Sequence, residues 1–231
     1  MQDIFDAIKA ITDTTPKDLP PLDTIYVVGT GPNGLEQVSR IPHIATVIGV
    51  NKAILYNEGT TGDSIPMWMW LCGDTTLPEQ EWFCKQAWQV IKCDFSLYNR
   101  LNPTACFGKA VDEDISLHTK FPDVPYTFKL AVHLKKMPPY QPMRGGLRGG
   151  ASIGSQAVQL AYLLGAKKIV LCGIDMMGDT YFDGTVNKVK HMFEDGTSRH
   201  LPLFNGLCRW VIGTGVEVVS LSETALDVPV I

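Results

Sequence analysis

The chain has 231 residues, of which 45% are hydrophobic and 19% charged, and its formal net charge is −4. This composition suits one α/β domain with a sizeable core, and the acidic balance argues against a surface for nucleic acid. No apolar run approaches the ~20 residues of a membrane span, and the acidic amino terminus is unlike a signal peptide. Six scattered cysteines without CxxC spacing indicate reduced thiols, so we expect a cytoplasmic protein.

A glycine-rich turn follows the first predicted strand, Thr24 to Gly29. Residues 29–34 read GTGPNG, a G-x-G-x-x-G pattern that opens a short helix, with Pro32 suited to the first helical position. The backbone amides of such a turn can hold a phosphate. The alternative is a tight strand-to-helix turn without a ligand.

The second predicted strand, Ala45 to Val50, is followed by Asn51. A dinucleotide-binding fold has an acidic residue here, about 20 residues after the glycine turn, to bind the ribose hydroxyls. Because Asn51 replaces that acid, the pattern argues against NAD. It favours a nucleotide whose base or sugar is bound by an amide.

A dense apolar run from Ile65 to Cys72 predicts a buried third strand, and Asp74 lies at its carboxyl end. Asp74 either contacts a ligand or caps the helix that begins near Pro78. Residues 94–126 show no clear periodicity and are predicted to be irregular. Thr127 to Val132 predict a further strand.

A long basic loop, His133 to Gly150, comes directly before a helix and carries Arg144 and Arg148 among glycines. Arginine side chains and the amides at a helix start both bind phosphate well. We therefore predict that Arg144 and Arg148 bind phosphate, with a solvated charged loop as the alternative.

An amphipathic helix is predicted between Ile153 and Leu164, where apolar residues recur at helical spacing, and Gly165 can end it. Lys168 to Cys172 then form a short apolar run typical of a buried strand. Asp175 lies just past its carboxyl end, the edge at which open α/β sheets bind ligands. Together these features predict a site for an anionic ligand.

The polar residues 178–200 lie between this strand and a final amphipathic helix with Leu203, Leu207 and Val211 on one face. We interpret 178–200 as a lid inserted into a single α/β domain that spans residues 1–231. The alternation of strands and helices predicts a doubly wound, mostly parallel sheet with helices on both faces.

The segment from Ser152 to Asp175 resembles the core of the bacterial family 42 sialyltransferases. Those enzymes carry Thr-Ser-Gly, a helix ending in Leu-Gly and a strand ending in Gly-Ile-Asp. Asn51 and the Gly31-Pro32 turn also resemble that family's nucleotide site. The residues that match within the segment are Gly154, Leu164, Gly165, Lys167, Gly173, Ile174 and Asp175. A broader group of pterin-diphosphokinase-like Rossmann proteins shares the Gly-Pro turn and the Gly-Ile-Asp strand.

The resemblance implies a Rossmann-like, glycosyltransferase A-like fold and an enzyme. It would transfer a sugar, with inversion, from a nucleotide sugar of the CMP-sialic acid type to the hydroxyl of a glycan or small-molecule acceptor. No metal or other cofactor is implied. His200 lies at the spacing of the family's catalytic base. Tyr181 matches the family's second tyrosine with a two-residue gap and would stabilise the departing phosphate. The predicted nucleotide-binding residues are Gly29, Thr30, Gly31, Pro32, Asn33, Asn51, Asp74, Ser152, Ile153, Gly154, Gly173 and Asp175.

Two other functions stay open at this point. A diphosphokinase of the 6-hydroxymethylpterin type would transfer pyrophosphate from ATP and would need Mg²⁺, held by Asp74, Asp175 and Asp179. A nucleotide-binding protein without activity is the second, because Ile153 and Met177 replace a serine and a tyrosine of the sialyltransferases. Self-association into a homo-oligomer is also left open.

Overall fold

The computed structural model describes residues 22–58, 67–72, 104–110, 128–133, 147–148, 152–186 and 193–231. In these ranges eight strands pair in parallel to form one sheet. The strands are β1 Thr24–Val28, β2 Thr46–Val50, β3 Met67–Cys72, β4 Thr104–Ala110, β5 Phe128–His133, β6 Leu147–Arg148, β7 Lys168–Cys172 and β8 Glu217–Ser220.

The order of the strands across the sheet is β6-β5-β4-β3-β2-β1-β7-β8. The chain therefore runs outward from β1 to β6 and then returns to the other side of β1, where β7 and β8 complete the sheet. This reversal between β1 and β7 is a topological switch point, at which open α/β sheets leave a crevice outside the carboxyl ends of the strands.

The helices are α1 Gly34–Val38, α2 Ile153–Leu163 and α3 Leu201–Gly213, and a 3₁₀ helix spans Asn51–Glu58. One core cluster packs α2 and α3 against the sheet through inward residues such as Ile25 and Val27. The other face of the sheet is covered by the 3₁₀ helix and the chain after α1, which pack against Val28. Helices on both faces of a parallel sheet confirm the predicted doubly wound α/β fold.

Helix α2 confirms the periodicity in the sequence. Ala157, Leu160 and Ala161 are at most 1% exposed and lie in the core that α2 forms with the sheet. Gly165 has φ +89°, a left-handed conformation that residues with a Cβ adopt at a cost, and it follows the end of the helix. The predicted order of helix α2 and strand β7 is therefore present.

Two elements correct the sequence-based interpretation. Residues 94–126 contain β4, whose sequence TACFGKA has no alternation and includes a glycine and a lysine. Its place is set by pairing with β3 and β5 on either side, so tertiary contacts outweigh a weak local preference. The predicted basic loop contains β6, which pairs with the end of β5.

Cys172 and Cys208 are buried free thiols, as predicted, and burial raises the pKa of each to about 12. Such thiols stay protonated and unreactive at neutral pH. In the described ranges, every helix is too short or too polar to cross a membrane. The extent of the domain, residues 1–231, stays a prediction.

Candidate functional site

The site begins where the carboxyl ends of β1 and β7 meet. The Gly29 amide donates to the Cys172 carbonyl and the Gly31 amide donates to the Gly173 carbonyl, each at 2.7 Å. These bonds extend the pairing of β1 and β7 past the strand ends and draw the two loops together. A Cβ on Gly29 or Gly31 would lie closer than 3.0 Å to the loop after β7, so glycine is required at both positions.

The turn after β1 donates its amides within the protein. The Gly34 amide donates to the Gly31 carbonyl at 3.0 Å, and the Asn33 amide donates to Oδ2 of Asp175 at 3.5 Å. Together with the two amides above, four amides of the turn are occupied by protein oxygens. These four amides donate within the protein in this structure, and nucleotide binding by the turn stays a prediction. Pro32 occupies the second position of the turn that Gly31 and Gly34 close, not the first of the helix, and proline favours that position.

Asp175 is enclosed by protein. The residue is 3% exposed, and its two carboxylate oxygens accept from the Asn33 amide and, at 3.4 Å, from the Ser222 hydroxyl. Burial raises the pKa of Asp175, and the bonds from Asn33 and Ser222 offset only part of that rise. Asp175 thus joins the turn after β1 to the carboxyl-terminal segment, and its contact with a nucleotide stays a prediction.

We expect Asp175→Asn to stabilise the protein, with a gain that grows as pH rises. Because burial raises the folded-state pKa of Asp175, its favourable contribution exists below the unfolded value near ~3.9 and is lost as pH rises through the folded value. Asparagine keeps an accepting oxygen without the buried charge. Urea unfolding of both proteins from about pH 4 to about pH 8 measures the difference. A difference that does not change with pH would contradict this prediction.

Asn51 lies at the carboxyl end of β2, as predicted, and begins the 3₁₀ helix in a left-handed conformation with φ +48°. Its carbonyl accepts the Trp70 indole N–H at 2.7 Å, which fixes the backbone. Its side-chain Oδ1 is buried without a hydrogen-bond partner among the described residues. An unpaired buried oxygen costs about 1–3 kcal/mol, so it indicates a missing partner such as a ligand or water.

The start of α2 provides two more buried oxygens of this kind, Ser152 Oγ and Gln156 Oε1. They are four residues apart and so lie on one face of the helix. Gly154 brings this turn close to β7, since a Cβ there would be 3.4 Å from Ile174, the residue before Asp175. Gln156 was not predicted from the sequence, although a glutamine inside an apolar helical stretch, one turn from Ser152, was the available signal.

The side chain of Ile153 packs against the core cluster that α2 and α3 form on the sheet. Ile153 is therefore partly buried against the core, and its contact with a nucleotide stays a prediction. The apolar side chain at this position suggested a protein without activity, and its packing against the core explains it.

The first part of the predicted lid lies over the loops after β1 and β2. The Phe182 amide donates to the Thr30 carbonyl at 3.1 Å, and the Phe182 ring lies 4.1 Å from the Tyr56 ring. Lys52 Nζ is 2.9 Å from Asp183 Oδ2 and 5.3 Å from the centre of the Tyr181 ring. Tyr181 is therefore brought to the carboxyl edge of the sheet, next to the residue that follows Asn51.

His200 is also placed at this edge. The Ser198 amide donates to the Met176 carbonyl at 2.9 Å, which ties the chain before α3 to the residue after Asp175. His200 follows two residues later as the N-cap of α3 and is half-buried. The catalytic role of His200 stays a prediction.

Of the two predicted arginines the structure describes Arg148, which lies four residues before Ser152 and the start of α2. Arg148 lies in β6, five strand spacings from β1, which is roughly 24 Å at about 4.8 Å per spacing. Arg144 and Asp74 lie outside the described residues. Within the described ranges, no three His, Cys, Asp or Glu side chains lie together so that they could hold a metal ion.

No protein-family description and no curated protein sequence matches this chain. Similarity is found to solved structures of Campylobacter jejuni sialyltransferases. The monofunctional α-2,3-sialyltransferase Cst-I is 13% identical with a TM-score of 0.51, over 93% of this chain and 82% of that one. CstII in complex with the substrate analogue CMP-3FNeuAc is 15% identical with a TM-score of 0.48, over 86% and 81%. CstII with a trisaccharide acceptor and CMP is 14% identical with a TM-score of 0.47, over 86% and 80%.

These neighbours are the family 42 enzymes that the sequence segment around α2 and β7 resembles. The likeness to Cst-I confirms the expected glycosyltransferase A-like arrangement of the sheet. At this level of identity the likeness to Cst-I establishes the fold. The activity depends on the residues at the switch point.

Proposed function

We propose that this protein is a glycosyltransferase-like enzyme that binds a nucleotide sugar of the CMP-sialic acid type and transfers the sugar to an acceptor hydroxyl. One observation carries the proposal. Asn51 Oδ1, Ser152 Oγ and Gln156 Oε1 are buried without partners, on a fold shared with a sialyltransferase. Asn51 follows β2, beside the switch point, and the other two lie in the first turn of α2.

The chemistry of these atoms favours a base with an exocyclic amino group, such as cytosine, over uracil. The exocyclic N4 amino group of cytosine donates hydrogen bonds, whereas uracil has a carbonyl oxygen at that position. The amide oxygens of Asn51 and Gln156 can accept from such a donor, and the hydroxyl of Ser152 can pair with a ribose hydroxyl. Each pairing would remove the cost of an unpaired buried oxygen, about 1–3 kcal/mol.

The transfer step uses residues at the same edge. The acceptor oxygen bonds to the anomeric carbon while the bond from that carbon to the phosphate oxygen breaks, and the phosphate leaves with the electron pair. His200 takes the proton of the acceptor hydroxyl. The Tyr181 hydroxyl donates to the departing phosphate and stabilises its charge. Arg144 keeps its predicted phosphate role.

Thermal unfolding with CMP, UMP, AMP and a CMP-sugar, each with and without EDTA, tests this proposal. We expect CMP and the CMP-sugar to stabilise the protein more than UMP does. A ligand at 100 times its Kd raises the free energy of unfolding by about 2.7 kcal/mol. We expect the same stabilisation in EDTA, since phosphate is assigned to side-chain donors.

Loss of binding in EDTA would instead favour the Mg²⁺-dependent diphosphokinase, as would a preference for AMP. In that case Asp74, Asp175 and Asp179, the predicted Mg²⁺ ligands, would be the first residues to substitute. Binding without transfer to any acceptor would favour the inactive nucleotide-binding protein.

A further inference from the structure

Lys52 directly follows Asn51, and its side chain reaches the lid. Its ammonium lies 2.9 Å from Asp183 Oδ2 and 3.0 Å from Thr185 Oγ1, and its side chain is 17% exposed. The same ammonium is 5.3 Å from the centre of the Tyr181 ring. A lysine side chain loses rotamer entropy when it is fixed in this way, so a function for the fixed charge is expected.

The turn that holds Lys52 is itself well ordered. Asp183 Oδ1 accepts from both the amide and the hydroxyl of Thr185, and Tyr181 donates its amide to the Thr185 carbonyl at 2.8 Å. Partial burial raises the pKa of Asp183, but the bonds from Lys52 and Thr185 outweigh this and leave it below its ordinary value. Asp183 is therefore ionised at neutral pH, and it holds a charged ammonium.

The same turn occurs a second time in the lid without a lysine. Asp195 Oδ1 accepts from the Thr197 amide at 2.9 Å and from its hydroxyl at 2.6 Å, around a glycine with φ +78°. Asp195 is exposed, and no basic side chain pairs with it among the described residues. The turn is thus stable by its own hydrogen bonds, and Lys52 is not needed to form it.

We propose that Lys52, positioned by Asp183 and Thr185, recognises the phosphate of the bound nucleotide. This inference rests on the proposed function. An ammonium has three protons, and Asp183 and Thr185 accept two of them, which leaves one for a ligand. In the proposed site the base binds at Asn51 and the leaving phosphate at Tyr181. The Lys52 ammonium is next to both residues.

The number of free donors near the site supports this assignment. A nucleotide phosphate requires a cation or several donors, and four amides of the turn after β1 already donate to protein oxygens. Lys52 is held next to Asn51 by Asp183 and Thr185, and its remaining N–H can donate to a phosphate oxygen.

Titration calorimetry with CMP and with cytidine, which lacks the phosphate, tests the role of Lys52. We expect Lys52→Gln to weaken CMP binding by about 10- to 100-fold and to change cytidine binding less than about 2-fold. Lys52→Arg keeps the charge and should retain most of the preference for CMP over cytidine. Asn51→Ala should weaken both ligands, because its amide is assigned to the base or sugar.

Lys168→Gln is the matched control. Lys168 also forms a salt bridge, 3.0 Å from Glu217, but it begins β7 and so lies at the opposite, amino-terminal edge of the sheet. We expect it to leave both affinities unchanged. Equal losses of CMP and cytidine affinity in Lys52→Gln would show that Lys52 only supports the fold and would overturn the inference.

Two further results separate this inference from the proposed function. If the wild type binds CMP and Lys52→Gln binds it equally well, the phosphate role of Lys52 is wrong and the proposed function stands. If the wild type binds neither CMP nor cytidine, the proposed function fails and the assignment of Lys52 fails with it.

Discussion

Replacing His200 with alanine should lower the rate of sugar transfer by about 10²–10⁴-fold and leave the affinity for the nucleotide largely intact. A neutral imidazole can accept the proton of a hydroxyl at neutral pH, which a lysine or arginine in its charged form cannot do. Ser198 holds the chain before α3 against Met176, so His200 is kept near the carboxyl end of β7. Single-turnover transfer from the CMP-sugar measures the chemical step, and calorimetry with CMP measures binding.

His43→Ala is a suitable control for this measurement. His43 is exposed and precedes β2, so it lies toward the amino-terminal edge of the sheet, away from the switch point. We expect its rate to equal that of the wild type. A His200→Ala variant with full transfer activity would end the assignment, and loss of CMP binding in that variant would indicate a role in binding instead.

The largest expected effect on stability comes from Gly29→Ala. A Cβ at Gly29 would overlap the Gly173 carbonyl oxygen and lie 2.7 Å from Cγ1 of Ile174. The carbonyl belongs to backbone that the Gly29 and Gly31 amides hold at 2.7 Å, so it cannot move without breaking the link between β1 and β7. Forced overpacking against backbone should cost roughly 3 kcal/mol or more.

Gly213→Ala provides the contrast. Gly213 is the last residue of α3, and a Cβ there would meet nothing within 4 Å. Alanine at this position should leave the free energy of unfolding unchanged or raise it by about 0.5–1 kcal/mol. Urea unfolding of both variants is the measurement. Similar stability of Gly29→Ala and Gly213→Ala would mean that the two loops are not packed as closely as described.

Local pattern alone was sufficient for the elements around the switch point. The apolar runs of β1, β2 and β7 and the helical spacing of α2 are properties of neighbouring residues, and each element forms where it was predicted. Gly165 was predicted as the end of α2 because glycine tolerates a left-handed conformation, and it has one. The positions of Asn51 and Asp175 just past strand ends followed from the same patterns.

Contacts between distant residues decided how these elements work together. Gly31 and Gly173 are 142 positions apart, yet their hydrogen bond occupies an amide that the sequence pattern assigned to a phosphate. The burial of Asp175 and the pairing of Lys52 with Asp183 depend in the same way on which loops meet after folding. A G-x-G-x-x-G pattern specifies a tight turn through the backbone freedom of glycine, but not the acceptors that its amides find. Those acceptors are set by the strand order, because only the insertion of β7 beside β1 brings its carbonyls to the turn.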